Sequence, residues 1–336
     1  MIQVYHSYWS AGYAGTPDPF LVDLHRLSAY LAKKHYGKVH LVTDSRAVES
    51  LGNLGYDSVS TELDQLPLKY AQVWSLGKIW TYIHAASKGQ PFMHIDYDVL
   101  LWKPLPVEMT SSPLFAERIE LDVNKRYGLN RFFSQCPNLH DLAGAEDLDG
   151  AINAGIVGGH NTNFLLEAYS KAWDFIMDPI NADYMTGPPD SQSPSWSRAT
   201  IAEQLYFYHY ARKHNQNIVC LLNTLLNRDK DKEANKLGYT HIWGAKSNKE
   251  IRAKVLAKCR EFGLPVASEE HGIKWLAKGA IKAAQALVLE ETEQSKARLA
   301  ICGGCDQWTG KSCKQCGCFT ALKVKIPEEK CPLGKW

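Results

Sequence analysis

Short apolar segments alternate with amphipathic segments of helical spacing along the N-terminal part of the chain, and this alternation restricts the possible folds most strongly. Gln3–Tyr5 has the composition of a short strand. Asp18-Pro19 then offers a helix cap and a proline suited to a first helical turn, and leucines keep helical spacing until Gly37. Lys38–Thr43 resembles a second, inner strand. Strand, helix and strand in this order predict a βαβ unit.

The same alternation continues downstream. Further helices are predicted near residues 45–54 and 70–87, and at Phe164–Met177 and Thr200–His214. Further strands are predicted just before Asp96 and at Ser58–Leu63, Leu114–Glu117, Ala151–Gly159, Asn217–Leu222 and Tyr239–Trp243. Strands that alternate with helices form sheets covered on both faces. We therefore predict an α/β fold with a mixed, mostly parallel sheet.

Length and composition indicate three regions. With 336 residues, 45% of them hydrophobic, the chain can bury a large core. We predict a main domain over residues 1–250, a charged helical extension over 251–299 and a small cysteine-rich tail over 300–336. The chain begins with neither the basic nor the apolar segment of a signal peptide, and it contains no run of eighteen apolar residues. These observations predict a cytoplasmic protein without a membrane span.

Asp96-Tyr97-Asp98 closes an apolar segment and carries the most informative pair of carboxylates. Because strand side chains alternate between faces, Asp96 and Asp98 are expected to point the same way. They would do so at the carboxyl end of a strand, where open α/β sheets bind ligands. Such a pair, with a third ligand, holds Mg²⁺ or Mn²⁺ against a substrate diphosphate. The alternative is a solvated junction between a strand and a loop.

Two later segments supply candidate partners for this pair. Asn153-Ala154-Gly155 interrupts a strand pattern with small residues, which marks the close approach of a ligand or, alternatively, tight sheet packing. The Asn153 amide both donates and accepts hydrogen bonds, which suits sugar hydroxyls. His241 follows a late strand and is a competent third ligand for Mn²⁺, with an ordinary polar residue as the alternative. Lys246 lies close enough in sequence to meet the phosphates of the same substrate.

The order of these motifs resembles that of the GT-A glycosyltransferases, which use nucleotide-diphosphate sugars. The likeness is greatest to the glycogenin and galactosyltransferase type and covers roughly residues 1–250. The matching parts are the N-terminal βαβ half, Asp96-x-Asp98, Asn153-Ala154-Gly155, Glu203-Gln204 on a helix, and His241 with Gly244 and Lys246. The resemblance implies a Rossmann-like GT-A sheet and a metal-dependent hexosyltransferase.

The resemblance also implies ligand roles. Asp96, Asp98 and His241 would hold Mn²⁺ or Mg²⁺ on the donor diphosphate, and Lys246, after Gly244, would bind phosphate. In this chain the lysine follows the glycine by two residues, whereas the family pattern has three. That departure bears on the role of Lys246 more than on that of His241.

Four further residues correspond to donor-binding positions in this family. Ser7, Tyr8 and Asp44 lie where the base and ribose bind; the alternatives are a surface aromatic loop and a helix N-cap. Lys78 resembles a basic residue that contacts the donor, and a solvated helix face is its alternative.

The expected reaction moves a sugar from a nucleotide donor, with a UDP-sugar favoured, to a glycan, protein or nucleic-acid acceptor. Loss of the sugar leaves a diphosphate whose charge the metal and basic groups stabilise. Asp98 and Asn153 are expected to take part in catalysis. Glu203, with Gln204 beside it, would orient the acceptor or act as a base, whereas a charge at a helix N-terminus is the alternative. The histidine-bearing pattern favours retention of configuration.

Six of the nine cysteines lie in the last 35 residues, in the order Cys302-x2-Cys305-x7-Cys313-x2-Cys316-x-Cys318-x12-Cys331. Paired Cys-x2-Cys knuckles predict a structural, tetrahedral Zn²⁺ site, with an iron–sulfur cluster as the rival. The expected ligands are Cys302, Cys305, Cys313 and Cys316, and Cys318 and Cys331 are able to substitute. The ending resembles cysteine-rich termini of phage and bacterial proteins.

Two other classes of function remain open. The chain is either a catalytically silent GT-A-like binding protein, or a protein whose basic tail docks on nucleic acid so that DNA or a DNA-bound partner is modified. From Lys296 onward eight Lys and Arg residues face three acidic ones, which gives 8 − 3 = +5. The tail is thus suited to an anionic partner.

Overall fold

The computed structural model describes residues 2–13, 17–121, 123, 136, 138–139, 150–188, 195–222, 230–242, 246–267, 289–314 and 319–336. The chain divides into two compact units, Met1–Val266 and Ala267–Trp336.

Within the described residues, the first unit combines strands and helices in alternation. Its strands are β1 (Gln3–Tyr8), β2 (Val39–Thr43), β3 (Ser58–Ser60), β4 (Phe92–Ile95), β5 (Val99–Leu101), β6 (Phe115–Glu120), β7 (Ala151–Gly159), β8 (Val219–Cys220) and β9 (Tyr239–His241). Its helices are α1 (Pro19–Tyr36), α2 (Ser45–Leu51), α3 (Leu76–Ala86), α4 (Val107–Thr110), α5 (Thr162–Met177), α6 (Ala182–Thr186), α7 (Ser195–Thr200), α8 (Tyr206–Lys213), α9 (Lys230–Leu237) and α10 (Lys249–Glu261).

Seven strands form one sheet in the order β3-β2-β1-β4-β7-β6-β8. Strands β3, β2, β1 and β4 are parallel, β7 is antiparallel to both of its neighbours, and β6 and β8 are parallel to each other. The prediction of an α/β fold with a mixed, mostly parallel sheet is therefore confirmed. Strands β5 and β9 form a separate antiparallel pair.

The order in which the chain adds parallel strands to the sheet reverses at β1. From β1 the chain moves outward to β2 and β3, and it then returns to place β4 on the other side of β1. The carboxyl ends of β1, β2 and β4 therefore meet at one edge of the sheet. Open α/β sheets bind ligands in the crevice at such a reversal. This edge is the place in the first unit where a ligand site is expected.

Local sequence signals explain α1. The Asp18 side chain accepts hydrogen bonds from the backbone N–H groups of Phe20 and Leu21, and Pro19 occupies the first turn. Gly37 ends the helix with φ 85°, a conformation that glycine adopts at no steric cost. The helix predicted between Asp18 and Gly37 is thus confirmed.

Most differences from the predicted elements lie at their ends. Strand β1 continues to Tyr8, and β3 stops at Ser60 because a 3₁₀ turn follows at Glu62–Gln65. The helix predicted near residues 70–87 begins at Leu76, after another 3₁₀ turn. A π-helical turn at Ile201–Leu205 divides the helix predicted at Thr200–His214.

Alternate strand residues enter two apolar clusters, one on each face of the sheet. Tyr5 and Phe92 point to the face covered by α3, α5 and α8, whereas Val4 and Met93 point to the face covered by α1 and strand β5. This alternation is the period of two that a strand imposes. Because both faces are buried, a binding site is expected at an edge of the sheet.

The second unit has little regular structure among its described residues. It contains α11 (Glu293–Gly303) and α12 (Thr320–Lys323). A capping box at Thr292 and Ser295 begins α11, since each side chain accepts from the backbone N–H of the other. Across the described parts of both units, no helix has the length and apolar character needed to cross a membrane.

Candidate functional site

Asp96 and Asp98 lie at the carboxyl end of β4, in the turn that joins β4 to β5. The Asp96 carbonyl accepts a hydrogen bond from the Val99 N–H at 2.9 Å, and the Asp96 N–H donates to Gly155 O on β7 at 2.9 Å. The expectation that strand alternation aligns the two carboxylates is therefore wrong, because both residues lie in the turn beyond the strand. The turn itself brings the two side chains together.

His241 reaches this turn through the small β5–β9 sheet. Val99 pairs with His241, and the Ile242 N–H donates to Asp98 O at 2.9 Å. His241 Nε2 lies 3.5 Å from Asp98 Oδ1. Asp96, Asp98 and His241 each offer one possible ligand atom, and these three atoms all lie within 4.8 Å of one another. Strand pairing thus joins two segments that are far apart in sequence.

This donor set fits a divalent cation. Two carboxylate oxygens and one imidazole nitrogen suit Mn²⁺ and also accept Mg²⁺, and three ligands leave coordination positions for water or phosphate oxygens. Asp98 is only 4% exposed, whereas 21% of the Asp96 side chain is accessible. Solvent and ligands therefore approach the group from the side of Asp96.

Glu117 on β6 and Tyr239 on β9 orient the histidine, and neither was singled out from the sequence. His241 Nδ1 lies 2.8 Å from Glu117 Oε2, and the Tyr239 hydroxyl donates to the same oxygen at 2.5 Å. With Nδ1 held, Nε2 is the nitrogen that faces Asp98. Burial alone would lower the pKa of His241, but the Glu117 and Asp98 carboxylates outweigh it and raise the pKa to about 10.

Gly155 makes room for this arrangement. The pairing of β6 with β7 shifts register between Ala116 and Arg118, which places Gly155 against the Glu117 and His241 side chains. A Cβ atom at position 155 would lie 2.3 Å from Glu117 Oε2 and 2.7 Å from His241 Nδ1. These distances are to side chains of the protein, so they match the alternative of tight packing at this glycine, and the predicted approach of a ligand stays a prediction.

We expect Gly155→Ala to weaken Mn²⁺ binding about 10- to 100-fold, the range produced when support of a metal ligand is lost. The added methyl group would push Glu117 and His241 out of contact. Isothermal titration with Mn²⁺ measures the effect. Asp174→Asn is the control, because this side chain is 66% exposed on the surface of α5. Equal Mn²⁺ affinity in Gly155→Ala and the parent would contradict this role.

Two lysines flank the carboxylates. Lys246 Nζ lies 2.7 Å from Asp98 Oδ2 and donates to the Tyr97 hydroxyl at 3.0 Å. Lys78 Nζ, on α3, lies 2.9 Å from Asp96 Oδ1. Burial opposes ionisation of Asp98, but His241 and Lys246 outweigh it and hold its pKa well below the usual range. The site therefore combines acidic ligands with two cations that suit an anionic substrate.

Glu203 lies behind Lys78, fully buried in the π-helical turn. Its Oε1 is 2.7 Å from Lys78 Nζ and also accepts a short hydrogen bond from the Tyr82 hydroxyl. The Lys78–Asp96 contact is thus backed by a second carboxylate, and Glu203 is placed to position Lys78 rather than to touch an acceptor. Gln204 follows in the same turn and is partly exposed. Burial raises the pKa of the Glu203 carboxyl to about 7, with Asp96 adding repulsion that Lys78 only partly offsets.

A raised carboxyl pKa predicts a pH dependence of stability. An unfolded Glu ionises near pH 4.3, whereas the folded state holds the Glu203 proton up to about pH 7. The folded state then binds more protons in this window, so stability falls as pH rises through it. We expect a loss of roughly 1–3 kcal/mol between pH 5 and 8, at about 1.4 kcal/mol per pKa unit. Chemical denaturation at several pH values measures this loss, and the Glu203→Gln variant should not show it. Equal dependence of stability on pH in the variant and the parent would contradict the prediction.

The residues predicted to bind the nucleotide lie at the carboxyl ends of β1 and β2. Asp44 caps α2 and accepts from the N–H and hydroxyl of Ser10, so its carboxylate is engaged by protein donors. Ser7 is buried with its hydroxyl 2.9 Å from His94 Nε2. Tyr8 is buried in the aromatic cluster described next.

An aromatic cluster of Tyr8, Tyr13, His25, Trp74 and Tyr97 adjoins the acidic turn. The Tyr8 and Tyr13 rings stack at 5.0 Å, and the His25 and Tyr97 rings stack at 4.4 Å. Tyr97 separates the two aspartates in sequence. Lys246 Nζ lies over its ring, 4.5 Å from the ring centre. The cluster links the crevice at the end of β1 to the Asp96–Asp98 turn.

Asn153 lies on β7, two residues before the Gly155 that contacts His241. Its Oδ1 accepts from the Gly155 N–H at 3.1 Å, and its Nδ2 donates to Glu120 Oε1 at 3.3 Å. The amide thus holds the irregular part of β7 in shape. Gly244, predicted to lie near the phosphates, is outside the described residues.

The chain matches a family model over residues 16–261. The match includes Asp96, Asp98, His241 and both lysines of the site, and it ends before the cysteine-rich tail. No curated protein matches the chain. Since the matched segment spans more than half of the sequence, the chain belongs to DUF6734, a family of unknown function.

Proposed function

We propose that the first unit is a GT-A-like glycosyltransferase that transfers a sugar from a nucleotide-diphosphate donor with the help of Mn²⁺ or Mg²⁺. The observation that carries the proposal is the convergence of Asp96, Asp98 and His241 at the carboxyl end of β4. The convergence lies beside the reversal of strand order, where α/β sheets bind nucleotides.

Asp96, Asp98 and His241 would hold the cation. When bound there, it would supply Lewis-acid stabilisation of the charge on the departing diphosphate. The support around His241 resembles that of established metal sites, in which a carboxylate fixes the second ring nitrogen of a histidine ligand. Glu117 is that carboxylate in this chain.

Lys246 and Lys78 would receive the diphosphate oxygens. Each ammonium group now pairs with a site carboxylate, at 2.7 Å for Lys246 and 2.9 Å for Lys78. Lys78 is held from behind by Glu203, whereas Lys246 is more exposed, with 32% of its side chain accessible. Lys246 is therefore the residue better placed to move onto a phosphate, and Lys78 is the better fixed.

The nucleoside would occupy the crevice beyond β1 and β2. Two rings of the aromatic cluster there, Tyr13 and Trp74, are partly exposed, and such rings suit contact with a base or a ribose. A sugar positioned beyond the diphosphate would lie toward β7, where Asn153 and Glu120 carry hydrogen-bonding groups.

Retention is the stereochemical outcome we propose. An inverting transferase needs a carboxylate base against the acceptor hydroxyl, and Glu203 is fully buried behind Lys78. The placement of Glu203 therefore supports retention over inversion.

A second candidate function is nucleotide-sugar binding without catalysis. It is favoured by the same two ion pairs, because Lys246 and Lys78 already neutralise Asp98 and Asp96. A protein of this kind would bind a nucleoside diphosphate without a metal requirement.

The proposal that the tail docks on nucleic acid rests on its charge alone. It predicts salt-dependent DNA binding that weakens when the exposed Lys311 and Lys314 are changed to Gln.

Incubation of the full chain with UDP-, GDP- and CDP-sugars in the presence of Mn²⁺ tests the proposal. We expect slow hydrolysis of one donor class, most strongly UDP-sugars, that stops when the metal is chelated. Donor binding without hydrolysis, unaffected by chelation, would support the non-catalytic candidate. No binding of any donor would contradict both.

A further inference from the structure

The described residues of the second unit include few buried apolar side chains. Among its described residues, the buried apolar side chains are Val324 and Ile326. Small units without a sufficient core need disulfides or a metal ion to stay folded. All four described cysteines of this unit are free thiols. Among the described residues of this unit, a metal ion bound by these thiols is therefore the available stabilising element.

Four thiols surround one small cavity of about 20 Å³ in this unit. The cavity has room for about one water-sized group. Its sulfur-bearing residues are Cys302, Cys305, Cys313 and Cys331. They come from the end of α11, a hairpin and the C-terminal loop.

Backbone turns bring each thiol to the cavity. Cys305 N–H donates to Cys302 O at 3.0 Å, which closes the first Cys-x2-Cys turn. Cys313 pairs with Trp308 in an antiparallel bridge across a tight hairpin. Cys331 N–H donates to Trp336 O at 3.0 Å, which folds the last six residues into a loop. Three separate segments thus converge without an extended apolar core.

The C-terminal loop also presents hydrogen-bond donors to two of the sulfurs. Trp336 Nε1 donates to Cys302 Sγ at 3.2 Å, and Lys335 Nζ donates to Cys305 Sγ at 3.1 Å. The Trp336 ring is in turn covered by Arg298, whose guanidinium lies 4.9 Å from the ring centre. Hydrogen bonds to the sulfur atoms from outside the ligand shell orient the ligands of a metal site.

We propose that Cys302, Cys305, Cys313 and Cys331 bind one Zn²⁺ ion in the second unit. Four thiolates from two short turns and a closing loop make the all-sulfur tetrahedral set of a structural zinc site. In this assignment Cys331, named from the sequence as able to substitute for a knuckle cysteine, takes a ligand position. Cys316 and Cys318 lie outside the described residues.

Zinc binding would tighten the cluster. Within the described residues, the one group of three ligand atoms within 4.8 Å is Asp96, Asp98 and His241, so the thiols stand wider apart than a bound ion would hold them. Zn–S bonds are about 2.3 Å long. Binding therefore draws in the C-terminal loop, which couples the order of this unit to the metal.

Metal analysis and X-ray absorption of the purified full chain test the site. We expect about one zinc per chain, with four sulfur neighbours at about 2.3 Å. The same measurement on Asp98→Asn should give the same zinc and sulfur count, which separates this site from the acidic one in the first unit. Iron with inorganic sulfide, or zinc with oxygen and nitrogen neighbours alone, would overturn the proposal.

Single Cys→Ser variants test the ligand set. Cys331→Ser should lower zinc affinity about 100-fold, measured by competition with a chromogenic chelator, because a first ligand is lost. Cys316→Ser, Cys318→Ser and the distant Cys220→Ser should keep the affinity of the parent. A Cys331→Ser chain that keeps its zinc while Cys316→Ser loses it would overturn the assignment. Cobalt(II) substitution of the parent provides a check that needs no variant, since a four-thiolate site gives strong thiolate-to-cobalt charge-transfer bands.

Discussion

Replacing Asp98 by Asn is expected to abolish Mn²⁺-dependent donor hydrolysis and to lower Mn²⁺ affinity by about 100-fold or more, beyond the 10- to 100-fold range for supporting residues. Asp98 contacts two other residues of the site. Its two oxygens face His241 at 3.5 Å and Lys246 at 2.7 Å. Asn keeps the size of the side chain but removes the negative charge that attracts both the cation and Lys246.

Asp174→Asn is the matched control for this prediction. Asp174 lies on α5 with 66% of its side chain exposed and pairs with Lys171 on the surface. Its substitution should leave Mn²⁺ affinity and hydrolysis unchanged, and should change stability by no more than about 0.5 kcal/mol. If Asp98→Asn keeps turnover close to that of Asp174→Asn, the cation site lies elsewhere.

Replacing Lys78 by Met should destabilise the first unit by about 3–5 kcal/mol, the cost of leaving a buried charge unpaired. Lys78 is 4% exposed and contacts Asp96 and Glu203 at 2.9 and 2.7 Å. Without its ammonium group, Glu203 stays fully buried with only the Tyr82 hydroxyl as a described side-chain partner. Denaturant unfolding measures the loss.

A double variant separates the charge effect from lost packing. At pH 8, above the pKa of about 7 of Glu203, loss of Lys78 leaves this buried carboxyl either unpaired or forced to take up a proton. Glu203→Gln in the Lys78→Met background removes that cost, so we expect it to restore a large part of the lost stability. The exposed Lys171→Met serves as control, because surface pairs contribute about 0–1 kcal/mol. Lys78→Met with the stability of Lys171→Met would show that the buried pair has no such role.

Local signals made part of this fold predictable from sequence. Asp18, Pro19 and Gly37 mark the ends of α1, and the apolar and small residues of Ala151–Gly159 match β7 as the structure has it. These features depend on residues close together in the chain. The π-helical turn that carries Glu203 has no such signal, since its sequence continues the helical pattern on both sides.

The residues of the site could be predicted from the sequence better than their arrangement in space. Asp96, Asp98, His241, Lys78 and Lys246 were identified from residue type and order, and the structure brings them together. The local reason given for the two aspartates was wrong, because a turn rather than strand alternation aligns them.

Glu117 was missed because its role exists only in three dimensions. It acts on His241, 124 positions away, through the pairing of β6 with β7 and the gap left by Gly155. The one signal of its role in the sequence was an acidic residue, Glu117, inside the apolar strand pattern of β6. Cys331 was named from the sequence only as a substitute ligand, because its place beside the other thiols depends on the fold of the C-terminal loop.

Anomalous X-ray scattering from crystals grown with Mn²⁺ and UDP tests the central proposal most directly. We expect one manganese peak bound by Asp96, Asp98 and His241 at about 2 Å and bridged to the diphosphate oxygens, with the uridine in the crevice beyond β1. A UDP diphosphate held by Lys78 and Lys246 with no manganese at Asp96 and Asp98, or manganese without nucleotide at this edge of the sheet, would contradict it.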